Sequence, residues 1–498
     1  MGLNIADLVV IVAYLAGVTL FGLRFRGKQR TLKDYFLAGN TIPWWAISLS
    51  IVAAETSTLT IISVPGLAYD KDFRFLQLVI GYVIGRILVS FVLIPQYFRG
   101  HLVTAYQLIE RRFGGGLRSL TAGLFLKTRA AAEGVRVFAV AIVIRVALGG
   151  LLSGMSDLGR DVTAIAIVTV LTLIYTFEGG MTAVIWTDVV QLAIYLTGTL
   201  VAAFSILHLV SGGWQTIASI AGNADKFRMF DASVNLTSTY TLWAGVIGGA
   251  FLTTASHGTD QLIVQRLLSA RSERQAKLAL LSSGVAVFLQ FSMFLLIGAM
   301  LFVFYKLFPP AAPFTRTDLI FPTYIVTRLP HGVSGLLISA ILAAAMSNLS
   351  AALNSLSSTT IVDFYARIVP LSTEERRVRL SRIATIGWGL LLFGLAILAR
   401  SGGKVLEMGL SIASVAYGCL LGVFLLGVLT KSATQPGAIV GMLVGFLLNI
   451  YLWLSTNIAF TWWVVFGSVV TFLVGYFASW LLPETSQLTP VPETSNQS

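Results

Sequence analysis

Long apolar blocks alternate with short charged stretches along the chain, and this pattern predicts a bundle of membrane-spanning helices. A block of about 18 or more apolar residues is long enough to cross a bilayer as a helix. The chain is therefore predicted to be an all-α integral membrane protein. The thirteen predicted spans are 5–24, 42–69, 73–97, 118–150, 161–179, 182–210, 241–266, 277–308, 334–365, 384–401, 406–429, 436–455 and 460–482.

Two spans are interrupted by polar and small residues near mid-depth. The second carries Ala53–Thr58, with a full charge at Glu55, and the seventh carries Thr253–Gln261 in the corresponding place. Irregular backbone inside a bilayer requires protein or a water-filled cavity around it, and paired interruptions in two halves are typical of transporters with inverted repeats. The predicted organisation is a single domain over 1–482, with a leading helix (5–24), two repeats (42–210 and 241–429) and two trailing helices (436–482), followed by a disordered tail (483–498).

Composition supports a membrane protein and excludes several other classes. Of 498 residues, 56% are hydrophobic and 11% are charged, whereas about a quarter are charged in soluble proteins. The single cysteine, Cys419, excludes a disulfide framework, a thiolate zinc site and an iron–sulfur cluster. Four scattered histidines give no metal-binding pattern, and no organic cofactor is expected.

The net charge of +12 is explained by membrane orientation rather than by nucleic acid, for which there is no signal. With the N-terminus outside, the inward loops carry 19 Lys and Arg residues and the outward loops carry 10. Because cytoplasmic loops are enriched in these residues, the N-terminus is predicted to lie outside and the C-terminus in the cytoplasm. The expected location is the cell membrane, and no oligomer is required for this architecture.

Charged residues inside the spans are candidates for function, since each costs about 3 kcal/mol at the bilayer centre. Glu55 either binds a ligand or pairs with an arginine such as Arg86. On the fourth span, Arg129, Glu133 and Arg136 lie on one helical face. One interpretation is an internal salt-bridge ladder. The other is that, with two arginines for one acid, one guanidinium remains available to bind a carboxylate.

Hydroxyl and carbonyl oxygens gather on two spans. The interrupted second span offers hydroxyls beside unwound carbonyls, which are the hard oxygen donors that sodium prefers. The ninth span carries a small and polar ridge from Ala343 to Ala351, which by itself favours helix packing but opposite an acidic break suits a sodium site. Asp188, near the inner end of the sixth span, is an interfacial acid or an ion relay.

These residues resemble the solute:sodium symporter family, which includes the sodium/proline, sialic acid and sodium/glucose cotransporters. The resemblance runs over nearly the whole chain and implies a LeuT-type fold of five-plus-five inverted repeats, with one leading and two trailing helices. It also implies sodium-coupled import of a small solute by alternating access. The motifs that carry it are Asp34–Gly39, Ser50–Gly66, Glu178–Met181 with Trp186–Asp188, Gly258–Gln261 with Val264–Arg266, and Ala344–Ser350.

The resemblance implies which residues bind sodium. The main site would use the carbonyls of Ala53, Thr56 and Ala344, the hydroxyl of Ser347, and Asn348, where relatives usually carry Ser or Thr. Some relatives bind a second sodium through residues matching Asp188, Ser347, Ser350 and the next position, which is Ala351 here. One ligand is therefore missing, and Glu55, Asp188 and Ser350 are candidates for a second sodium or a relay.

The substrate site follows from the same resemblance. In the sialic acid carriers an arginine matching Arg136 takes the carboxylate, and Ser57 and Thr60 match polar contacts. Glu55 stands where proline carriers have an acid, and Asp260 and Gln261 complete the candidate set. The expected solute is a small organic anion or zwitterion with a carboxylate, and a neutral sugar or polyol is the alternative.

Three other functional classes are less consistent with the sequence. A channel would need a continuous polar lining, and the chain has one polar cluster at mid-depth. A transporter-like sensor would need a signalling module, for which the 16 residues after the last span leave no room. An intramembrane enzyme would need a nucleophile and a base together, and the neighbours Ser256 and His257 are expected to point to different faces.

Overall fold

A computed structural model describes residues 3–25, 30–100, 102–147, 154–310, 312–401 and 405–483, and the architecture there is all-helical. Within these ranges the chain forms no sheet, and one isolated bridge pairs Ile42 with Ala270. The predicted disordered tail lies outside the described residues from position 484 onward.

The long helices agree with the predicted spans to within a few residues at most ends. Shorter helices lie between them, at Leu32–Leu37, Tyr106–Phe113, Gly213–Asn223 and Ile320–Arg328. The long helices are Ile5–Leu23, Phe75–Leu88 continued to Phe98, Gly115–Ala147, Asp157–Leu209, Glu273–Leu307, Val333–Ser358 continued to Ile368, Glu374–Leu398, Val405–Leu429, Gln435–Ser455 and Phe460–Leu481. Two further segments are broken helices, Trp44–Glu55 with Thr58–Asp70, and Gly249–Gly258 with Gln261–Leu268.

Nine helices of the described chain are long and apolar enough to cross a membrane, and the pair Trp44–Glu55 and Thr58–Asp70, bent by 63°, adds a tenth crossing if taken as one span. The predicted spans 118–150, 161–179 and 241–266 also coincide with helix, but they do not meet this criterion. The first of them carries the charged ladder and the last is broken.

The predicted fifth and sixth spans lie within Asp157–Leu209, as two helices that meet at a sharp kink. The kink is at Gly180, whose φ of 55° and ψ of −153° favour glycine. A Cβ atom there would also lie 2.6 Å from the carbonyl oxygen of Tyr35. Glycine at 180 therefore permits both the change of direction and the close approach of the neighbouring chain.

The helix Val333–Ser358, called the serine helix below, lies at the centre of the bundle. In the most apolar 18-residue stretch of Val333–Ile368, 94% is buried inside the protein. The corresponding buried share for the leading helix Ile5–Leu23 is 28%. Asp7 joins the two helices. Its carboxylate accepts hydrogen bonds from the backbone N–H groups of Gly332 (2.6 Å) and Gly335 (2.9 Å), and so caps the serine helix from a neighbouring helix.

Candidate functional site

The first broken helix, Trp44–Asp70, exposes backbone oxygens in the middle of the bundle. Thr56 and Ser57 have extended dihedral angles, and the Ser57 N–H donates to the carbonyl of Glu55 (3.1 Å). Within the described chain, no backbone N–H donates to the carbonyls of Ala53 or Thr56. As the sequence predicted, this segment breaks and leaves buried carbonyl oxygens with capacity for a ligand.

The second broken helix is interrupted later than expected. The sequence suggested an irregular stretch over Thr253–Gln261, but the helix continues to Gly258 and breaks only at Thr259 and Asp260. The hydroxyl of Thr254 donates to the carbonyl of Ala250 (2.7 Å), so a polar side chain is satisfied by its own helix without breaking it. Asp260 then caps the second half through the N–H of Leu262 (2.9 Å).

The serine helix faces the break of the first broken helix. Near one end of the contact, the hydroxyl of Thr58 donates to the carbonyl of Ile341 (3.4 Å), and further along, Asn348 Nδ2 donates to the carbonyl of Ala54 (2.8 Å). Ala344 and Ser347 lie between these two contacts along the serine helix. The elements that carry the five predicted sodium ligands are therefore adjacent in the fold.

A cavity of about 110 Å³ lies beside the break. Five of the six predicted substrate-binding residues line it, namely Glu55, Ser57, Thr60, Arg136 and Asp260. Much of the remaining surface is apolar or aromatic and includes Phe75, Tyr82, Leu252, Ile263, Phe291 and Tyr417. The cavity thus combines a few charged groups with a largely apolar wall, as small-molecule sites commonly do.

Gln261, the sixth predicted substrate-binding residue, lies elsewhere, which corrects that expectation. Its amide accepts a hydrogen bond from the N–H of Ala105 (2.8 Å) and donates to the carbonyl of Val103 (3.1 Å). The side chain is fully buried. Because it follows the helix break by one residue, its side chain turns to the neighbouring loop instead of the cavity.

Glu55 both lines the cavity and forms the ion pair that the sequence offered as its alternative role. Arg86 Nη2 donates to its carboxylate, and His257 Nε2 lies 3.6 Å from the same oxygen. Arg86 is also held by the hydroxyl of Ser283 (3.2 Å) and is only 1% exposed. The charge of Glu55 is therefore compensated by a fixed neighbour.

The ladder on Gly115–Ala147 acquires a second acid from another helix. Arg129 Nη2 lies 3.1 Å from Glu133, and Arg129 Nη1 lies 3.3 Å from Asp260, which also accepts a hydrogen bond from the hydroxyl of Tyr417 (2.6 Å). The expectation of two arginines for one acid is corrected, because the tertiary structure brings Asp260 to Arg129.

Arg136 nevertheless remains the most available guanidinium of the cavity. Its Nη1 lies 3.6 Å from Glu133 and donates to Asn348 Oδ1 at 3.3 Å. In the described structure its Nε and Nη2 make no hydrogen bond, and its side chain is 20% exposed, compared with 7% for Arg129 and 1% for Arg86. A carboxylate entering the cavity would find its free donors here.

Asp188, a candidate relay or second-sodium ligand, already has three partners. Arg266 Nη2 lies 2.9 Å from its carboxylate, Ser50 donates at 2.5 Å and Ser347 donates at 2.6 Å. Ser350, the other hydroxyl candidate, donates to the carbonyl of Ser347 (2.9 Å) within its own helix. The guanidinium of Arg266 therefore supplies the positive charge that a second sodium would bring.

Ser256 and His257 do meet, contrary to expectation. Ser256 Oγ lies 2.9 Å from His257 Nδ1, and the other ring nitrogen faces Glu55. Adjacent residues on a helix normally diverge, so this contact follows from side-chain rotation that the periodicity does not specify.

Several cavity residues escaped the sequence reasoning. Tyr417, Phe75 and Phe291 sit in ordinary apolar blocks, where aromatic residues carry no distinguishing signal. Phe75 and Phe291 stack with ring centroids 5.3 Å apart and so close part of the cavity wall. His257 was visible as one of only four histidines, and an ionisable residue within an interrupted span is the signal that could have identified it.

Comparison with known proteins agrees with this architecture. The family model described as the sodium:solute symporter family matches residues 35–445. The sodium/sialic acid symporter SiaT of Proteus mirabilis is 28% identical over 96% of this chain and 96% of its own length, and sodium-coupled monocarboxylate transporter 1 of Xenopus laevis is 28% identical over 87% and 68%. A solved substrate-bound, outward-open structure of a Na⁺-coupled sialic acid symporter superposes with a TM-score of 0.85 at 28% identity, over 97% of this chain and 100% of that chain.

Proposed function

Because the chain belongs to the sodium:solute symporter family, and is thus a sodium-coupled symporter with a LeuT-like helical fold, we propose that it imports a compact monocarboxylate. The observation that carries this proposal is Arg136, which lines the cavity and has two donor nitrogens without a partner among the described residues. A planar guanidinium matches a carboxylate with two directed hydrogen bonds. Two relatives named for sialic acid and for monocarboxylates also transport carboxylate-bearing solutes.

The size of the cavity favours a small solute. An engineered protein cavity of about 150 Å³ admits benzene, and this cavity is about 110 Å³. The solute is therefore expected to have on the order of six non-hydrogen atoms, which suits a short-chain monocarboxylate better than a sugar acid.

The charges and the lining favour a monoanion over the alternatives. A zwitterion would need a free anionic partner for its ammonium group, and Glu55 is engaged by Arg86. A sugar or polyol would bring no negative charge to the guanidinium of Arg136, and Leu59 and Leu252 contribute apolar wall that its hydroxyls would not match. The apolar lining suits the body of a short-chain acid, and the neutral solute remains the alternative to be tested.

A second cavity, of about 800 Å³, supports an anionic solute. It is bordered by loops that the charge distribution assigns to the cytoplasmic side. Its charged lining in the described chain comprises one acid, Glu374, and five bases, Lys33, Arg118, Arg271, Arg367 and Arg377. Three of these bases are paired with acids, Arg118 with Asp363, Arg367 with Glu110 and Arg377 with Glu374. Among the described lining residues, Lys33 and Arg271 then carry the charge that would attract an anion leaving the central site toward the cytoplasm.

For the coupling ion, the proposed ligands are the carbonyls of Ala53, Thr56 and Ala344 and the hydroxyl of Ser347. Oxygen donors of this type suit a hard cation such as sodium. Asn348, which the sequence added to this set, turns its oxygen toward Arg136 and is assigned another role below. One sodium per cycle is proposed, since Arg266 already neutralises Asp188.

The proposed topology has thirteen crossings with the N-terminus outside and the C-terminus in the cytoplasm, in the plasma membrane. The repeats would be 42–210 and 241–429. This arrangement follows from the positive-inside rule and from the odd number of crossings in each repeat, which inverts the second copy.

Uptake into proteoliposomes tests the proposal. Labelled short-chain monocarboxylates, a sialic acid, an amino acid and a neutral sugar would be compared under an inward sodium gradient and with choline in place of sodium. Saturable, sodium-dependent uptake of the monocarboxylates is expected. Preferential uptake of the sugar would contradict the carboxylate assignment, and equal uptake in choline would contradict sodium coupling.

A further inference from the structure

Asn348 joins the candidate substrate site to the candidate sodium site. Its Oδ1 accepts a hydrogen bond from Arg136 Nη1 (3.3 Å), and its Nδ2 donates to the carbonyl of Ala54 (2.8 Å). Ala54 lies in the break beside Ala53, and Asn348 follows Ser347 on the serine helix. The amide of Asn348 thus contacts both Arg136 and the first broken helix. Asn348 itself lies on the serine helix, which carries the proposed sodium ligand Ser347.

The orientation of this amide is determined by its partners. A guanidinium can only donate and a carbonyl can only accept, so the oxygen must face Arg136 and the nitrogen must face Ala54. Asn348 is 2% exposed, and solvent therefore competes little for either bond. Exchanging the amide for a hydroxyl, a hydrocarbon or a carboxylate would remove at least one of the two contacts.

The surrounding space allows these contacts to change. A separate small cavity of about 10 Å³ is bordered by Ser57, Arg136 and Asn348, and it adjoins residues of the central cavity. A carboxylate that binds the Nε and Nη2 of Arg136 would shift the guanidinium and, with it, the contact of Nη1 with Asn348 Oδ1. A sodium ion bound at the break would orient the neighbouring carbonyls, including that of Ala54, which accepts from Asn348 Nδ2. Because the amide is a rigid plane, a rotation that changes the contact of Oδ1 also changes the contact of Nδ2.

We propose that Asn348 is a positioning residue that couples solute binding at Arg136 to sodium binding at the break. The inference rests on the proposed function, since it takes Arg136 as the solute site and the Ala53–Ser347 donors as the sodium site. Coupling between two ligands is reciprocal, and each raises the affinity for the other by the same factor. That factor is the quantity that Asn348 controls.

The experiment measures this factor on purified full-length protein by isothermal titration calorimetry. Sodium affinity is determined with and without a saturating short-chain monocarboxylate found by the uptake assay, and solute affinity with and without sodium. The variants are Asn348→Leu, which keeps the number and branching of the side-chain heavy atoms without polar groups, and Asn348→Ser, whose short hydroxyl cannot span both contacts. Asn354→Leu is the matched control, because Asn354 is a buried amide of the same helix that contacts Gln265 (2.9 Å) instead of either site.

In the wild type the coupling factor is expected to be roughly 10-fold, within the usual range of about 5 to 150. Both Asn348 variants should lower it below about threefold, and Asn354→Leu should leave it unchanged. A wild-type factor of about one would contradict the proposed function together with this inference. A large wild-type factor that persists in Asn348→Ser, or in Asn348→Leu, would overturn the role of Asn348 alone.

Discussion

The guanidinium of Arg266 lies 2.9 Å from the carboxylate of Asp188, and both side chains are fully buried. Ser50 contacts both, donating to Asp188 while it accepts from Arg266 Nε (2.8 Å). Because a fixed cation already balances this buried acid, a single sodium per cycle is proposed.

The first prediction concerns the number of sodium ions. Uptake should depend on sodium with a Hill coefficient close to one, as expected for a single site. Arg266→Met should strand Asp188 and lower the free energy of unfolding by about 3–5 kcal/mol. Combining it with Asp188→Asn removes the stranded charge and should recover much of the loss in a thermal unfolding assay. A Hill coefficient near two in the wild type would show that a second sodium binds.

A second prediction concerns Ser347. Ser347→Ala removes a proposed sodium ligand and should lower the apparent sodium affinity about tenfold, which corresponds to about 1.4 kcal/mol. At saturating sodium, solute affinity should change much less. Ser339→Ala is the matched control, because that hydroxyl donates to Gly335 within the same helix (2.8 Å). Equal sodium affinity in the two variants would remove Ser347 from the site.

A third prediction tests the carboxylate site. Arg136→Lys keeps the charge but loses the planar fork, so the affinity for a monocarboxylate should fall by roughly tenfold or more, and Arg136→Ala should lose nearly all of it. Glu133 retains Arg129 as a partner in both variants. The control combines Glu133→Gln with Arg136→Ala. If that double variant regains uptake, Arg136 only balances Glu133, and a neutral solute becomes the better assignment.

The fourth prediction separates stability from binding at Glu55. Glu55→Gln leaves the buried charge of Arg86 unpaired and should lower the free energy of unfolding by about 3–5 kcal/mol. The double variant Glu55→Gln with Arg86→Met should recover stability and keep uptake per folded molecule. A stable double variant that no longer binds solute would instead identify Glu55 as a ligand.

The fifth prediction concerns orientation. Val234 and Leu371 are 85% and 96% exposed in loops assigned to opposite sides of the membrane, whereas the native Cys419 is fully buried. A membrane-impermeant thiol reagent should label Val234→Cys in intact cells and Leu371→Cys only after permeabilisation, with little background. The reverse pattern would invert the proposed topology.

Much of the helical architecture was predictable because its causes are local. The length of an apolar block decides whether it can cross a bilayer, and the polar run Ala53–Thr58 marks the break of the second span. The position of the second break was less predictable, because Thr254 can return its hydroxyl to its own helix. The partner of Glu55 was foreseen because Arg86 is one of few charges within the spans.

The sequence by itself therefore determined the membrane class, the helices and the family resemblance. Only the tertiary structure decided which buried polar groups share a site. Asp260 reaches Arg129 across 131 residues, Arg266 reaches Asp188 across 78, and Gln261 turns away from the cavity. The physical reason is that the apolar pattern specifies which faces leave water, whereas every buried charge needs a partner and many pairings would satisfy that need. The packing of the helices selects among them.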